Sequence, residues 1–257
     1  MGCFPIMTKV LICGAMGRMG TTIANMVTEN PELELVGGVD ISPGQVLGKP
    51  MVESADLAAF IDEFRPDVMI DFTVAAATMV NAKIAAAKGV ALVIGTTGFT
   101  PEQDAELLDA VRNVPVVKTT NFSVGVNIFW ELVREAAKRL GDYDIELIEA
   151  HHRHKKDAPS GTAKTILKVI EEEVGSRAEM YGRCGMTERK NEIGVHVIRG
   201  GDTVGDHTVQ FHQNYETIEL THRAYDRAVF ARGAVRAAAW VPGKVPGLYT
   251  MKEVLGL

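Results

Sequence analysis

The stretch from His151 to Ala163, HHRHKKDAPSGTA, gathers the side chains of this sequence that are best suited to acid–base chemistry. Its first six residues contain three histidines, one arginine and two lysines, in a chain whose net charge is −6. Histidine titrates near neutral pH and serves as a general acid or base, whereas lysine and arginine bind carboxylates. The cluster predicts a site that binds an acidic ligand and supplies protons, with a solvent-exposed loop as the simpler alternative.

A turn follows the charged residues directly. Pro159-Ser-Gly-Thr162 precedes a helical segment, so its free backbone N–H groups and hydroxyls predict a cradle for an anion. Three histidines could also form a zinc site, but no carboxylate or cysteine stands at the spacing that zinc sites use. We therefore expect no metal here.

A glycine loop near the start predicts a second site. The apolar run from Lys9 to Cys13 predicts a strand, and Gly14-Ala-Met-Gly17-Arg-Met-Gly20 separates it from a helical segment. This arrangement is the context in which glycines let a dinucleotide pyrophosphate approach the start of a helix. Asp40 ends the next strand, where its carboxylate can accept hydrogen bonds from ribose hydroxyls and repel a 2′-phosphate. NADH is therefore the expected coenzyme, with NADPH also accepted.

Two later strand ends favour the same interpretation. Gly95-Thr-Thr-Gly98 and Thr119-Thr-Asn-Phe122 follow apolar runs, at the edge where open α/β sheets bind ligands. Their small and hydroxyl side chains would let a flat ring lie close to the backbone, and Phe122 could pack on a nicotinamide. The alternative is that both are ordinary strand-to-helix turns.

The elements that must position these residues fall into two patterns. Strands alternate with helices up to Lys118, which predicts an N-terminal Rossmann-type, doubly wound parallel sheet in an α/β protein. After Asn121 come two helices, one strand that runs into the histidines, and three strand-like stretches joined by short turns. Short turns favour antiparallel pairing, so we expect a C-terminal α+β domain with a mainly antiparallel or mixed sheet. The predicted domains are residues 7–121 for the dinucleotide, residues 122–230 for the substrate and for oligomerisation, and residues 231–257 as a segment returning to the first domain.

Composition excludes several classes of protein. The 257 residues are 46% apolar and 23% charged, an ordinary globular balance. A pI near 5.7 argues against nucleic-acid binding, and no apolar run approaches the roughly 18 residues of a membrane span. Three cysteines without Cys-x-x-Cys spacing favour a reducing compartment, so a cytoplasmic location is expected. Residues 1–6 are interpreted as a short extension before Met7, a second possible initiator.

Five stretches resemble the 4-hydroxy-tetrahydrodipicolinate (dihydrodipicolinate) reductase family: GAMGRMG, GTTGF, NFSVGVN, EAHHRHKKDAPSGTA and GDTVGDHT. The resemblance extends from Lys9 to the C-terminus. It implies an oxidoreductase that uses NADH or NADPH to reduce a small cyclic imine dicarboxylate in the diaminopimelate route of lysine biosynthesis. It also implies a homotetramer assembled by the second-domain sheets.

The resemblance further implies roles for individual residues. His151 would be a proton donor or acceptor and Lys155 a proton donor, while His152, Gly161 and Thr162 would bind substrate carboxylates. The implied coenzyme contacts are Gly14, Ala15, Met16, Gly17, Arg18, Met19, Asp40, Gly95, Thr96, Thr97, Thr119, Thr120, Asn121 and Phe122. Ile41 stands where some members carry a basic residue, which leaves the coenzyme preference open. The alternatives are another NAD(P)-dependent amino-acid dehydrogenase or a non-catalytic dinucleotide-sensing protein.

Overall fold

The computed structural model describes residues 7–257, which form two compact units. One contains residues 7–124 and 228–257, and the other contains residues 125–227. The predicted extension at residues 1–6 lies outside the described residues. Within residues 7–257, no helix combines the length and the apolar character needed to cross a membrane.

The helices are α1 Arg18–Glu29, α2 Leu57–Phe64, α3 Ala75–Ala87, α4 Pro101–Ala110, α5 Val124–Arg139, α6 Gly161–Val174, α7 Ala228–Trp240 and α8 Met251–Leu255. The strands are β1 Thr8–Cys13, β2 Leu33–Val39, β3 Gly44–Val46, β4 Lys49–Val52, β5 Val68–Asp71, β6 Ala91–Ile94, β7 Pro115–Lys118, β8 Asp144–His151, β9 Ala178–Tyr181, β10 Glu192–Arg199, β11 Gly205–Gln213, β12 Glu216–Ala224 and β13 Gly247–Tyr249.

The first unit is built on a mostly parallel sheet with strand order β13-β7-β6-β5-β1-β2-β4-β3. Only the β3–β4 hairpin pairs antiparallel among its described strands. Strands β5 and β6 are buried along their whole length, as expected for strands covered on both faces. The predicted Rossmann-type fold class is confirmed. This topology brings the carboxyl ends of β1, β2, β5 and β6 to one edge of the sheet.

The second unit is built on a mixed sheet with strand order β12-β11-β8-β10-β9. Strand β11 pairs antiparallel with β12 and β8, as the short turns predict. The expectation of antiparallel pairing is wrong for β10, which pairs parallel with β8 and with β9. The reason is that the chain between β8 and β10 crosses over through α6 and β9 and so returns in the same direction.

The core of the second unit decides which side chains of β8 face α5 and α6. Because side chains alternate along a strand, every second residue of β8 faces the core. Ile145 and Leu147 are fully buried there and pack in one cluster with residues of both helices. The same alternation leaves Glu149 and His151 buried at the end of the strand. The two ionisable side chains therefore lie on the same buried face of β8 as the apolar side chains that precede them.

Candidate active site

The glycine loop folds tightly onto the start of α1. Gly14 has φ +72°, a conformation that favours glycine, and its N–H donates to the carbonyl of Val39 at 2.8 Å. A Cβ on Gly20 would lie 2.0 Å from the carbonyl oxygen of Gly14, so only glycine fits there. The other predicted loop residues follow the turn: Ala15 is buried, Met19 half-buried, and Met16, Gly17 and Arg18 are exposed.

Asp40 lies beside this loop, just after β2. Its carboxylate accepts hydrogen bonds from the backbone N–H groups of Met16 and Ile41, both at 2.8 Å. Asp40 also lines a cavity of about 580 Å³ together with Gly14, Gly17, Phe72 and Thr73. The cavity places Gly17, the residue just before α1, next to the carboxylate of Asp40, an arrangement that suits a nucleotide's phosphate and ribose groups.

A buried carboxylate that sequence reasoning missed organises the neighbouring strand ends. Asp71 is fully buried at the end of β5, and one of its oxygens accepts the hydroxyl protons of Thr73 at 2.6 Å and of Thr96 at 3.1 Å. It also accepts the Thr78 hydroxyl at 3.0 Å. The hydroxyl of Thr96, one of the predicted coenzyme contacts, therefore points inward toward Asp71 and braces the strand ends.

The two other predicted strand ends form a second cavity. It measures about 370 Å³, and its lining includes Thr96, Thr97, Thr119 and Thr120. Gly95 lies against the Phe72 ring, which an added Cβ would approach to 2.2 Å. Asn121 caps the turn after β7, where its side-chain oxygen accepts the Ser123 N–H at 2.8 Å. Phe122 is only 2% exposed and its ring packs on Phe72, with centroids 5.4 Å apart, so its ring belongs to the core.

In the second unit, His151 is held by a buried ion cluster. Its Nδ1 lies 2.5 Å from a Glu149 oxygen, and Arg199 donates to both oxygens of that carboxylate at 2.9 and 2.8 Å. Burial opposes ionisation of Glu149, but these hydrogen bonds and one from the Ser160 N–H outweigh it and lower the pKa of Glu149 to about 2. The carboxylate is therefore charged at neutral pH, and the imidazole donates its Nδ1 proton to it.

The turn that opens α6 is attached to the same cluster. Ser160 is buried, its N–H donates to Glu149 at 3.0 Å, and its hydroxyl caps the helix by accepting the Ala163 N–H at 3.2 Å. The same hydroxyl lies 3.1 Å from His207 Nε2. Burial first, and then the nearby charge of His151, lowers the pKa of His207 to about 3, so His207 is neutral.

Gly205 leaves space for the ring of His151, the candidate acid–base residue. A Cβ on Gly205, the first residue of β11, would lie 3.0 Å from Nε2 of His151. Gly205 and His207 both belong to GDTVGDHT, a stretch to which the sequence analysis gave no role. The ring of His151 is 5.2 Å from that of His207 in an edge-on arrangement. The sequence missed these contacts because they join β8 to a strand that lies more than fifty residues later.

The remaining predicted residues lie on the loop after β8 and at the start of α6. Lys155 is half-buried and forms an ion pair of 2.9 Å with the exposed Asp157, a contact of the kind that a bound carboxylate can replace. Partial desolvation, followed by the charge of Arg227 and of the other basic residues of the loop, lowers the pKa of His152. Gly161 is exposed at the first position of α6, and Thr162 is half-buried beside it.

The expectation that no carboxylate stands at metal-site spacing from the histidine cluster is wrong. Ligand atoms of Glu149, His151 and His207 lie within 4.8 Å of one another, a spacing that a metal ion could use. However, both oxygens of Glu149 already accept hydrogen bonds from the guanidinium of Arg199, and this cation would repel a metal. The donor set therefore fits proton chemistry better than metal binding.

Comparison with known proteins places this geometry in a family. A family model described as "Dihydrodipicolinate reductase, N-terminus" matches residues 8–122, and "Dihydrodipicolinate reductase, C-terminus" matches residues 125–255. The chain belongs to the dihydrodipicolinate reductase family. The predicted family and its enzyme class, a nicotinamide-dependent oxidoreductase, are thereby confirmed.

Individual relatives agree with this assignment. The 4-hydroxy-tetrahydrodipicolinate reductase of Methanocorpusculum labreanum is 87% identical over 98% of this chain and 100% of the relative. That of Anaeromyxobacter dehalogenans is 48% identical over 98% of both chains. A solved structure described as dipicolinate-bound dihydrodipicolinate reductase from Paenisporosarcina sp. TG-14 has a TM-score of 0.79 and 26% identity, covering 95% of this chain and 98% of that one. These findings support the reductase interpretation over an amino-acid dehydrogenase or a non-catalytic sensor.

Proposed function

We propose that this member of the dihydrodipicolinate reductase family reduces 4-hydroxy-tetrahydrodipicolinate, or its dehydrated form, to tetrahydrodipicolinate on the diaminopimelate route. The observation that carries the proposal is the buried cluster of His151, Glu149 and Arg199, joined to the Ser160 turn that opens α6. It combines a proton-exchanging imidazole with a helix start suited to a carboxylate. A small cyclic dicarboxylate that accepts a hydride at a ring carbon conjugated with its C=N bond uses both features.

The residues of the first unit suit a nicotinamide dinucleotide. Gly14 and Gly17 leave room for phosphate at the start of α1, Asp40 offers acceptors for ribose hydroxyls, and Thr97 and Thr119 line the cavity that suits the nicotinamide. When bound, the coenzyme supplies a hydride. Asp71 would keep Thr73 and Thr96, at the ends of β5 and β6, in place.

The chain's own residues would then manage charge and protons. The predicted carboxylate ligands are His152 and the helix start at Gly161 and Thr162. Negative charge develops on the substrate as it is reduced, and the ammonium of Lys155 would stabilise that charge. A proton from His151 or Lys155 would neutralise it, while Glu149 stabilises the imidazole in its donating form.

We propose that NADH is preferred and NADPH is accepted. The 580 Å³ cavity contains two acidic residues, Asp40 and Glu53, and a 2′-phosphate placed near them would be repelled. Asp40→Asn keeps an oxygen for the Met16 N–H but removes the charge. We expect it to raise kcat/KM with NADPH relative to NADH by roughly fivefold, equivalent to about 1 kcal/mol. Steady-state kinetics with both coenzymes measure this ratio.

The matched control for Asp40 is Glu34→Gln, which removes a half-buried charge from the same strand, β2, without touching the cavity. It should leave the ratio unchanged. A ratio that shifts equally in both variants would mean that overall charge, and not Asp40, sets the preference.

We further propose that the chain is a cytoplasmic homotetramer assembled through the sheet of the second unit. This is what membership of the family suggests, and one face of that sheet is available because α5 and α6 share a single core with the other. The pI near 5.7 argues against a nucleic-acid partner.

A coupled assay tests the proposed function. Purified protein is mixed with substrate made in place by a dihydrodipicolinate synthase, and oxidation of NADH or NADPH is followed by absorbance. We expect oxidation that requires both proteins. Oxidation that proceeds equally without the synthase, or none with either coenzyme, would contradict the proposal.

A further inference from the structure

We propose that Glu149 is the positioning residue that fixes both the imidazole of His151 and the turn that receives the substrate carboxylate. The proposal rests on the proposed function and adds a residue to which the sequence analysis assigned no role. Glu149 does not touch the substrate in this account. It acts through the two groups that do.

The two oxygens of Glu149 bind different groups of the candidate site. One oxygen of Glu149 lies 2.5 Å from His151 Nδ1, and the other accepts the Ser160 N–H at 3.0 Å. Because the Nδ1–H of His151 donates to the carboxylate, the orientation of the imidazole ring is fixed. Nε2 is then the nitrogen that can exchange a proton with a ligand. The hydrogen bond from the Ser160 N–H holds the first turn of α6 in place, and Gly161 and Thr162 belong to that turn.

Burial also holds the Glu149 carboxylate in this position. Glu149 is fully buried, and Arg199 binds both of its oxygens, so the carboxylate cannot rotate toward solvent. A buried charge without partners is strongly destabilising, so the cluster persists only with its hydrogen bonds formed. Arg199 also donates to the carbonyl of Asp157 at 2.6 Å. This hydrogen bond attaches the basic loop, residues 152–160 between β8 and α6, to the Glu149 cluster. One carboxylate therefore couples three parts of the candidate site.

The sharpest test is Glu149→Gln, because glutamine keeps the shape but has a single oxygen. Its amide cannot accept both from His151 and from the Ser160 turn. We expect kcat to fall roughly ten- to hundredfold and KM for the dicarboxylate to rise, since a hydrogen bond to a charged group is lost. Coenzyme affinity, measured by fluorescence titration, should not change. Glu149→Asp keeps the charge and should recover part of kcat.

Strand β8 offers a matched control. Glu146 also lies on it and has the same kinds of partner, His196 at 2.8 Å and Arg189 at 3.3 Å, but neither His151 nor Ser160. Glu146→Gln should leave kcat and KM near wild type. Equal losses in both variants, or wild-type kinetics in a folded Glu149→Gln, would overturn the proposal.

A second measurement separates this proposal from the proposed function and does not depend on a variant at Glu149. Proton NMR of the wild-type protein should show a strongly downfield histidine N–H signal that disappears in His151→Gln. Absence of that signal would overturn the positioning role even if the enzyme is active. If the signal is present while wild-type protein fails to oxidise coenzyme in the coupled assay, the proposed function fails and the positioning of His151 stands.

Discussion

Replacing His151 with glutamine should lower kcat by about two to four orders of magnitude, the range typical of a lost general acid or base. The glutamine amide can still donate a hydrogen bond to Glu149, so the buried carboxylate keeps a partner. It cannot release a proton to the substrate at neutral pH. Because His151 belongs to the second unit, the dissociation constant of the coenzyme should stay at its wild-type value. Steady-state kinetics together with coenzyme titration measure both quantities.

The control for this experiment lies three residues further on. His154 is exposed on the same basic loop and has no assigned role. His154→Gln should keep wild-type turnover. If His151→Gln also keeps full turnover while remaining folded, His151 does not exchange the proton, and the acid–base role would pass to Lys155.

Acidification should lower the free energy of unfolding. His207 should contribute to this decrease at the highest pH. Its pKa is about 3 in the folded protein and 6.5 in the reference state, so the unfolded chain takes up a proton that the folded chain refuses. The free energy of unfolding therefore falls as pH drops below about 6.5. Glu149 adds a second loss below about pH 4.5, because its pKa is held at about 2 in the fold. Together the expected loss is several kcal/mol by pH 3.

Urea unfolding midpoints at a series of pH values measure this loss. His207→Gln removes the largest of the histidine shifts and should reduce the slope between about pH 6.5 and 5, while the lowered pKa values of His152 and His222 leave a smaller slope. His212→Gln, a half-buried histidine on the same strand, is the comparison variant and should retain the wild-type slope. Wild-type midpoints that do not change from pH 6.5 to 5 would show that His207 is not buried in its neutral form.

Much of the first unit follows from its sequence because the signals are local. Apolar runs, a helix-opening glycine loop and Asp40 after β2 are enough to predict a parallel sheet and its binding edge. The β3–β4 hairpin was missed because its two-residue turn is Leu47-Gly48, and Leu47 adopts a positive φ that is uncommon for leucine. Asp71 could have been predicted as a site residue, since it is a single acidic residue at the end of an apolar strand.

The second unit was harder because its site depends on pairings between distant strands. Glu149 could have been found, because residues two apart on a strand share a face and Ile145 and Leu147 identify the buried one. Arg199 could not, since its approach to Glu149 requires the parallel register of β10 on β8. That register depends on the crossover through α6 and β9 and on the loop before β10, which short-turn patterns do not reveal. The contacts of Gly205 and His207 with His151 likewise depend on the pairing of β11 with β8.

The proposed reaction requires that the hydride of the nicotinamide is transferred to a ring carbon of a cyclic imine dicarboxylate bound to this protein. Mass spectrometry of the product formed with coenzyme deuterated at the transferring position tests this directly. We predict a product one mass unit heavier than that formed with ordinary coenzyme, with the deuterium on a ring carbon. A product of unchanged mass, formed while the labelled coenzyme is consumed, would contradict the claim.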